Sequence, residues 1–188
     1  IYKQYDSQVQ ANTVFKPGES DAAVIRLREQ NQNNNKKVFS GVAASVDCNS
    51  RWVTLDPYRG SIAAVAESAR NVSCVGAEPL AITNNLNFSS PENDIGYWQL
   101  STSCKGISEA CKVLETPVTG GNVSLYNESI NKDNEITPIN PTPVIGMVGK
   151  IDNVEKAISS EWKNINDQIW LIGSSKSEIT ISASSYLE

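Results

Sequence analysis

The sequence predicts an α/β or α+β domain in which helices cover one face of a mixed sheet. Its apolar patterns give the order strands, helix, strand, helix, strand, strand, helix and strand, and this alternation favours helices packed on a sheet. Of its 188 residues, 39% are hydrophobic and 20% are charged, as in ordinary globular proteins. We therefore expect one domain over residues 1–173. The Ser-rich residues 174–188 are expected to begin a linker to a second domain.

Two strands are predicted near the start of the chain, on either side of a polar tract. Residues 22–27 are mostly apolar and follow the turn signal Lys16-Pro17-Gly18. Residues 29–37 are rich in Asn, Gln and Lys and predict an exposed loop. Residues 38–47 predict the next strand.

The first long helix is predicted from its ends. Asp56 suits the N-cap, Pro57 suits the first helical position, and Gly76 supplies the stop. One helical face between them carries apolar residues, namely Ile62, Val65, Ala66, Ala69 and Val72. A strand over residues 79–88 follows.

The second half of the chain predicts further elements. Residues 95–115 predict a helix because apolar residues recur at helical spacing, at positions 97, 100, 104, 107, 111 and 114. The elements expected after it are a strand from Val118, a polar loop over residues 128–141, a strand over residues 142–151, a short helix from Asp152 to near Trp162, and a buried strand over residues 167–173.

Charge and composition exclude several classes of function. The net charge of −5 argues against a general nucleic-acid binder or a binder of anionic membranes. The sequence has no run of 18 apolar residues and no signal-peptide pattern, so we expect a cytoplasmic protein without a membrane span. It contains no His, which excludes histidine-dependent nucleophilic catalysis and His-ligated zinc within this chain.

The four cysteines, Cys48, Cys74, Cys104 and Cys111, include no C-x-x-C pair, so a structural zinc site is not expected. Cys104 and Cys111 fall on the apolar stripe of the second helix. Seven helical residues rise about 10.5 Å, which is too far for a disulfide. We predict that all four are small core residues of a reduced protein.

Three sets of residues are candidates for chemistry. In residues 120–124, Gly-Gly-Asn-Val-Ser, two glycines let the main chain approach an anion, and Asn122 and Ser124 add oxygen ligands. The alternative is a tight turn. Residues 83–88 place three amides at the end of a strand. One interpretation is that they bind a nucleotide, and the alternative is an ordinary polar strand end. The third set is acidic and comprises Asp21, Asp47, Asp56 and Glu67, of which Asp56 is explained as a helix cap.

Several stretches spread along the chain carry a family resemblance. They are residues 5–10, 17–24, 56–60, 66–71, 75–80, 86–88, 97–100, 116–128 and 141–149. Together they resemble the synthetase subunit of phosphoribosylformylglycinamidine synthase, a ligase family of de novo purine synthesis. The match runs in order over nearly the whole chain, so it is far more specific than any single motif.

The resemblance implies a fold similar to the N-terminal domain of aminoimidazole ribonucleotide synthetase, whose sheet pairs with a partner domain into a barrel. It implies that this chain is the ATP-binding-type domain of the second half of a longer enzyme. The catalytic His of the family lies in the first half. No catalytic residue is therefore expected here, and the isolated chain should be inactive.

The resemblance also implies a reaction. ATP, with Mg²⁺, phosphorylates the amide oxygen of formylglycinamide ribonucleotide, and ammonia then displaces phosphate to give the amidine. The resemblance carries over ATP contacts at Gly121 and Asn84, a Mg²⁺ ligand at Asn122 and a substrate contact at Ser124. The family has Asp at the position of Asn84 and usually Gly at the position of Ser89, and the first departure removes a charge from the ATP contact.

The partners implied are the remaining domains of the same polypeptide, a glutaminase subunit, a small accessory subunit and the ribonucleotide. In isolation the chain is expected to form a homodimer. One alternative is a non-catalytic module whose main role is association. Another is a different superfamily member, such as thiamine monophosphate kinase or selenophosphate synthetase.

Overall fold

A mixed β-sheet with helices on one face organises the molecule. The computed structural model describes residues 9–16, 18–33, 36–173 and 183–185. Its strands and helices are, in chain order, β1 (Ala23–Asn33), β2 (Lys36–Asp47), α1 (Ser50–Leu55), α2 (Pro57–Cys74), β3 (Glu78–Asn87), α3 (Asp94–Val113), β4 (Val118–Ser124), β5 (Glu128–Ile130), β6 (Ile136–Pro138) and β7 (Thr142–Ile151). Single 3-10 turns lie at Val9–Ala11 and Val154–Lys156.

The main sheet has the strand order β1-β2-β7-β3-β4, and β5 and β6 form a separate hairpin. β7 is antiparallel to both β2 and β3. β3 and β4 are parallel, which requires a crossover connection, and α3 provides it. Because β4 comes last in the strand order, it is an edge strand. This architecture confirms the predicted fold class, and no barrel closes within the described residues.

The hydrophobic core lies between the sheet and helices α2 and α3. Along β7, alternate residues are buried beneath the helices, among them Ile145, Met147 and Ile151. Val65 and Val72 of α2 are fully buried against them. Burying a side chain of this size stabilises the fold by about 1.5–3 kcal/mol. None of the helices in the described part of the chain is long and apolar enough to cross a bilayer.

On the other face of the sheet the described residues form no helix, and we call it the open face. Its apolar residues come from neighbouring strands and are partly exposed, including Ile25 (51%), Val46 (71%) and Val148 (38%). Cross-strand neighbours share a face, so Ala23, Ala44 and Val148 form one row across it. This face is the surface on which the resemblance places a partner sheet.

The predicted ends of α2 are confirmed. The Asp56 side chain accepts a hydrogen bond from the Arg59 N–H at 2.9 Å, and Pro57 begins the helix. Gly76 follows its C-terminus with φ of +86°, a left-handed conformation that favours glycine. The observed bounds of β7 are also those predicted for this strand, residues 142–151.

Four element predictions are wrong. The polar loop predicted over residues 128–141 contains the hairpin of β5 and β6. The polar tract at residues 29–37 is largely strand, because β1 extends to Asn33 and β2 begins at Lys36, and the main-chain ladder continues through both. The helix predicted after Asp152 is only a 3-10 turn. Residues 167–173 form no strand, and Leu171 and Ile172 are 100% and 96% exposed, since no described strand pairs with them. The short helix α1 was not predicted.

The cysteine prediction is only partly right. All four thiols are free, but only Cys111 is buried, while Cys48 is half-buried and both Cys74 and Cys104 are exposed. Helix α3 is rotated relative to the predicted stripe, so that small residues face α2. A Cβ added at Gly106 would overlap the carbonyl oxygen of Tyr58, so these two helices approach too closely for larger side chains.

Candidate functional site

The edge formed by β3 and β4 brings the predicted site residues together. The parallel register pairs Asn84 with Gly121, Asn85 with Asn122, and Asn87 with Ser124. Asn85 and Asn122, which are 37 residues apart in sequence, are thus in contact. All four residues carried over from the family resemblance lie on this pair of strands.

The four residues do not share one face of the sheet. Ile82 and Leu86 are buried on the helix-covered side, so Asn84 between them also faces the helices. Asn85 and Asn87 then face the open side, and their partners Asn122 and Ser124 face the same way. The predicted ATP contacts therefore lie on one side of β4, and the predicted metal and substrate contacts lie on the other.

On the helix side, Asn84 explains why residue 121 is glycine. A Cβ at Gly121 would overlap both the side-chain Oδ1 and the main-chain oxygen of Asn84. Beside this contact a groove of about 450 Å³ runs between α3 and the sheet edge. Its lining includes Asn84, Cys104, Ile107, Cys111 and Val118.

The two glycines form part of a strand and not the tight turn considered as an alternative. Residues Val118–Ser124 are continuously extended as β4. Apart from its two chain neighbours, no described residue has a heavy atom within 4 Å of the Cβ position at Gly120, which pairs with Thr83 on the open side. A ligand can thus approach the main chain closely at Gly120. The sequence alone did not distinguish Gly120 from Gly121.

On the open side, an amide pair fixes the orientation of Asn122. Its Nδ2 donates to Asn85 Oδ1 at 3.2 Å, which turns the Oδ1 of Asn122 away from Asn85. Asn87 Nδ2 donates to the main-chain oxygens of Asn85 (3.1 Å) and Thr142 (3.2 Å). These hydrogen bonds hold the amides at the strand ends. They leave the Oδ1 of Asn122 facing away from Asn85, where a ligand can reach it.

A second residue that sequence reasoning missed is Asn127. It lies beyond β4, and its side chain contacts Ser124 through both its oxygen and its nitrogen. The signal that could have revealed it is its spacing of three residues from Ser124, which is typical of Asn side chains that bond nearby main chain.

A larger cavity, of about 780 Å³, lies next to the carboxyl ends of β3 and β4. The Tyr126 hydroxyl donates to Glu92 Oε1 at 3.0 Å, and this bond raises the pKa of Tyr126 above its ordinary value. Glu128 accepts from the Ser90 N–H at 2.8 Å. Ser89, at the position where the resemblance implies Gly, is buried beside the start of α3.

The acidic set is only partly assembled. Asp21 and Asp47 line one cavity of about 340 Å³, and Asp47 Oδ1 accepts from Asn71 Nδ2 at 2.9 Å. Asp47 Oδ2 is buried and has no hydrogen-bond partner among the described residues. Burial, followed by the charge of Glu67, raises the pKa of Cys48 to about 11. In the described ranges, no three His, Cys, Asp or Glu residues group as metal ligands.

Comparison with known proteins identifies a family and several relatives. Residues 19–151 match the family described as AIR synthase related protein, N-terminal domain. Over its full length the chain is 89% identical to phosphoribosylformylglycinamidine synthase subunit PurL of Prochlorococcus marinus (strain MIT 9312), of which it covers 24%. The chain thus spans about a quarter of the length of the curated relatives it matches.

Solved structures of PurL from Thermotoga maritima share the fold. The PurLQS structure superposes with a TM-score of 0.67 at 35% identity, covering 85% of this chain and 24% of that one. PurL complexed with ATP gives 0.65 at 36% identity, covering 83% and 23%. PurL complexed with FGAR gives 0.62 at 36% identity, also covering 83% and 23%.

Proposed function

The chain belongs to the family of AIR synthase related proteins, N-terminal domain, and we propose that it forms part of a phosphoribosylformylglycinamidine synthase. One observation carries the proposal: the 89% identity with a synthase subunit PurL extends over every part of the chain. The complete enzyme would convert formylglycinamide ribonucleotide, ATP and ammonia into the amidine, with phosphorylation of the amide oxygen preceding displacement of phosphate by ammonia.

Within that enzyme we assign a different set of ligands to each side of the β3–β4 edge. Ser124 and Asn122, on the open side, contact the ribonucleotide and the metal. Asn84 and Gly121, on the helix side, contact ATP. Because β4 is an edge strand, only its own main chain separates the two sides, and a ligand at its free edge can reach both. Orienting two substrates in this way lowers the entropic barrier to their reaction.

The donor chemistry of the open side fits Mg²⁺. This ion prefers hard oxygen ligands, and the Asn122 amide oxygen is such a ligand. When bound, Mg²⁺ supplies charge neutralisation for the transferred phosphoryl group. Since the described residues bring no cluster of carboxylates to this edge, negative charge has to come from phosphate oxygens or another domain.

The isolated chain is proposed to be inactive. It has no His, and the β3–β4 edge supplies contacts for binding and orientation only. The catalytic group would come from the first half of the enzyme. Ammonia would come from a glutaminase subunit bound with a small accessory subunit, all in the cytoplasm.

A second candidate function is association without catalysis. The observation that favours it is the open face, whose apolar residues such as Val46 remain uncovered. In the full-length protein, the remaining domains of the polypeptide would cover this face. In the isolated chain a second copy would do so.

The test compares the complete protein with this chain. Purified full-length protein should release ADP in repeated turnovers only when formylglycinamide ribonucleotide, Mg²⁺ and ammonia are all present, and the 188-residue chain should release none. Full-length protein that binds neither ATP nor ribonucleotide would leave only the association function. Turnover by the isolated chain would refute the division of roles between the two halves.

A further inference from the structure

Asn127 lies where the chain turns back after β4. The preceding residue, Tyr126, has φ of 59°, and this left-handed backbone directs the chain back toward the strand ends. The Asn127 N–H donates to the Phe88 carbonyl oxygen at 3.1 Å, while the Phe88 N–H donates to the Ser124 carbonyl oxygen at 3.0 Å. The Asn127 side chain is therefore held against the carboxyl ends of both β3 and β4.

The hydrogen bonds of Asn127 fix which way its amide faces. Its Nδ2 donates to the main-chain oxygen of Ser124 at 2.8 Å and to that of Phe88 at 3.2 Å. An amide nitrogen carries two hydrogens, so one of them is shared between two acceptors. The third acceptor is Ser124 Oγ, to which Nδ2 also donates at 3.2 Å.

The Ser124 hydroxyl contacts both atoms of this amide, and its own proton goes to the amide oxygen. Ser124 Oγ donates to Asn127 Oδ1 at 3.3 Å. A hydroxyl has one proton and two acceptor lone pairs. With its proton committed to Asn127, Ser124 can only accept a hydrogen bond from a bound molecule.

We propose that Asn127 is a positioning residue that holds the Ser124 hydroxyl as a hydrogen-bond acceptor for the ribonucleotide. The inference rests on the proposed function, which assigns the ribonucleotide contact to Ser124. Its chemical consequence is that the bound group is a donor, such as a ribose hydroxyl or an amide N–H. An ionised phosphate oxygen only accepts hydrogen bonds, so it is excluded as the partner.

A double-mutant cycle in the full-length enzyme tests the inference. The dissociation constant for formylglycinamide ribonucleotide is measured by titration calorimetry for wild type, Ser124→Ala, Asn127→Ala and the double variant. Each single substitution should weaken binding about three- to tenfold, the cost of one hydrogen bond. The double variant should bind within about twofold of Ser124→Ala, because Asn127 acts through Ser124.

The calorimetric stoichiometry reports the folded fraction, so partial unfolding does not mimic a change in the dissociation constant. Asn131→Ala is the matched control. Asn131 also holds a loop, through Glu135 at 2.7 Å and the Asp133 N–H at 2.9 Å, and has no described contact with Ser124. It should lower the melting temperature and leave ribonucleotide binding unchanged. If Asn127→Ala does not fold, Asn127→Ser, which keeps one donor, replaces it in the cycle.

The outcomes separate this inference from the proposed function. The role of Asn127 would be overturned if the losses of ribonucleotide affinity in the two single variants multiply in the double variant, or if Asn127→Ala loses no affinity. Either result would leave the ligase proposal standing. Unchanged binding in Ser124→Ala would overturn both the Ser124 assignment and the inference. The dephosphorylated riboside checks the polarity of the contact. Ser124→Ala should weaken its binding by the same factor, and loss of that effect would identify phosphate as the partner and contradict the inference.

Discussion

The adjacent glycines of β4 have different roles because successive residues of a strand face opposite sides of the sheet. Gly121 faces Asn84 so closely that no side chain fits, whereas no described residue beyond the chain neighbours of Gly120 comes within 4 Å of its Cβ position. The sequence predicted a Gly-Gly pair near a ligand. It could not separate the two residues, because the distinction depends on the pairing of β4 with a strand that is distant in sequence.

The two glycines should therefore respond differently to substitution by alanine. In Gly121→Ala, the new Cβ would force Asn84 and its main chain to shift, and we expect a loss of about 1–3 kcal/mol in stability. Gly120→Ala adds a methyl group to open space and should stay within about 0.5 kcal/mol of wild type. Urea unfolding of both variants measures the difference. Equal stabilities would contradict the close contact between Gly121 and Asn84.

At the scale of elements, local signals predicted some helices and strands but not the direction in which they face. The ends of α2 follow from Asp56, Pro57 and Gly76, which act within their own segment. The buried face of α3 depends on contact with α2, and that contact selects small residues over the large apolar ones. Residues 167–173 have a strand-like apolar pattern, but a strand needs a partner that the described chain does not provide.

The close packing of α2 and α3 gives a second prediction. Gly106→Ala should destabilise the protein by about 1–3 kcal/mol, because its Cβ meets the Tyr58 carbonyl, and this cost exceeds the gain in helix propensity of about 1 kcal/mol. Ser101→Ala in the same helix, at a partly exposed position, is the control. Calorimetric melting compares the two. A more stable Gly106→Ala variant would mean that the helices have room to separate.

At the scale of the whole molecule, the helices cover only one of the two sheet faces, and the polar edge continues onto the uncovered one. The sequence pattern predicted a single helical layer on a mixed sheet, but it did not predict the order of the strands within that sheet. The split of Asn84 and Gly121 from Asn122 and Ser124 could not be predicted, since a family motif specifies residues and not sides of a sheet. Under the proposed function, other domains of a longer polypeptide would complete the site and cover this face.

The uncovered face predicts self-association of the isolated chain. Sedimentation at micromolar concentration should give a two-fold dimer instead of a 20.4 kDa monomer. Val46→Lys, on the open face, should restore the monomer because it introduces a charge into the interface. Val113→Lys is the matched control, since Val113 is equally exposed, at 76% against 71%, but lies on α3. A wild-type monomer, or dissociation by the control alone, would contradict this use of the open face.

The dependence of turnover on Mg²⁺ tests most directly whether the open side of the β3–β4 edge is the reacting side. In the full-length enzyme, Asn122→Ala would remove the proposed oxygen ligand, and a replacing water would be less well oriented toward the phosphates. We expect turnover to fall by about 10²–10³ and the Mg²⁺ concentration for half-maximal rate to rise. Curves of rate against Mg²⁺ that superimpose for wild type and variant, after normalisation for folded protein, would contradict the account.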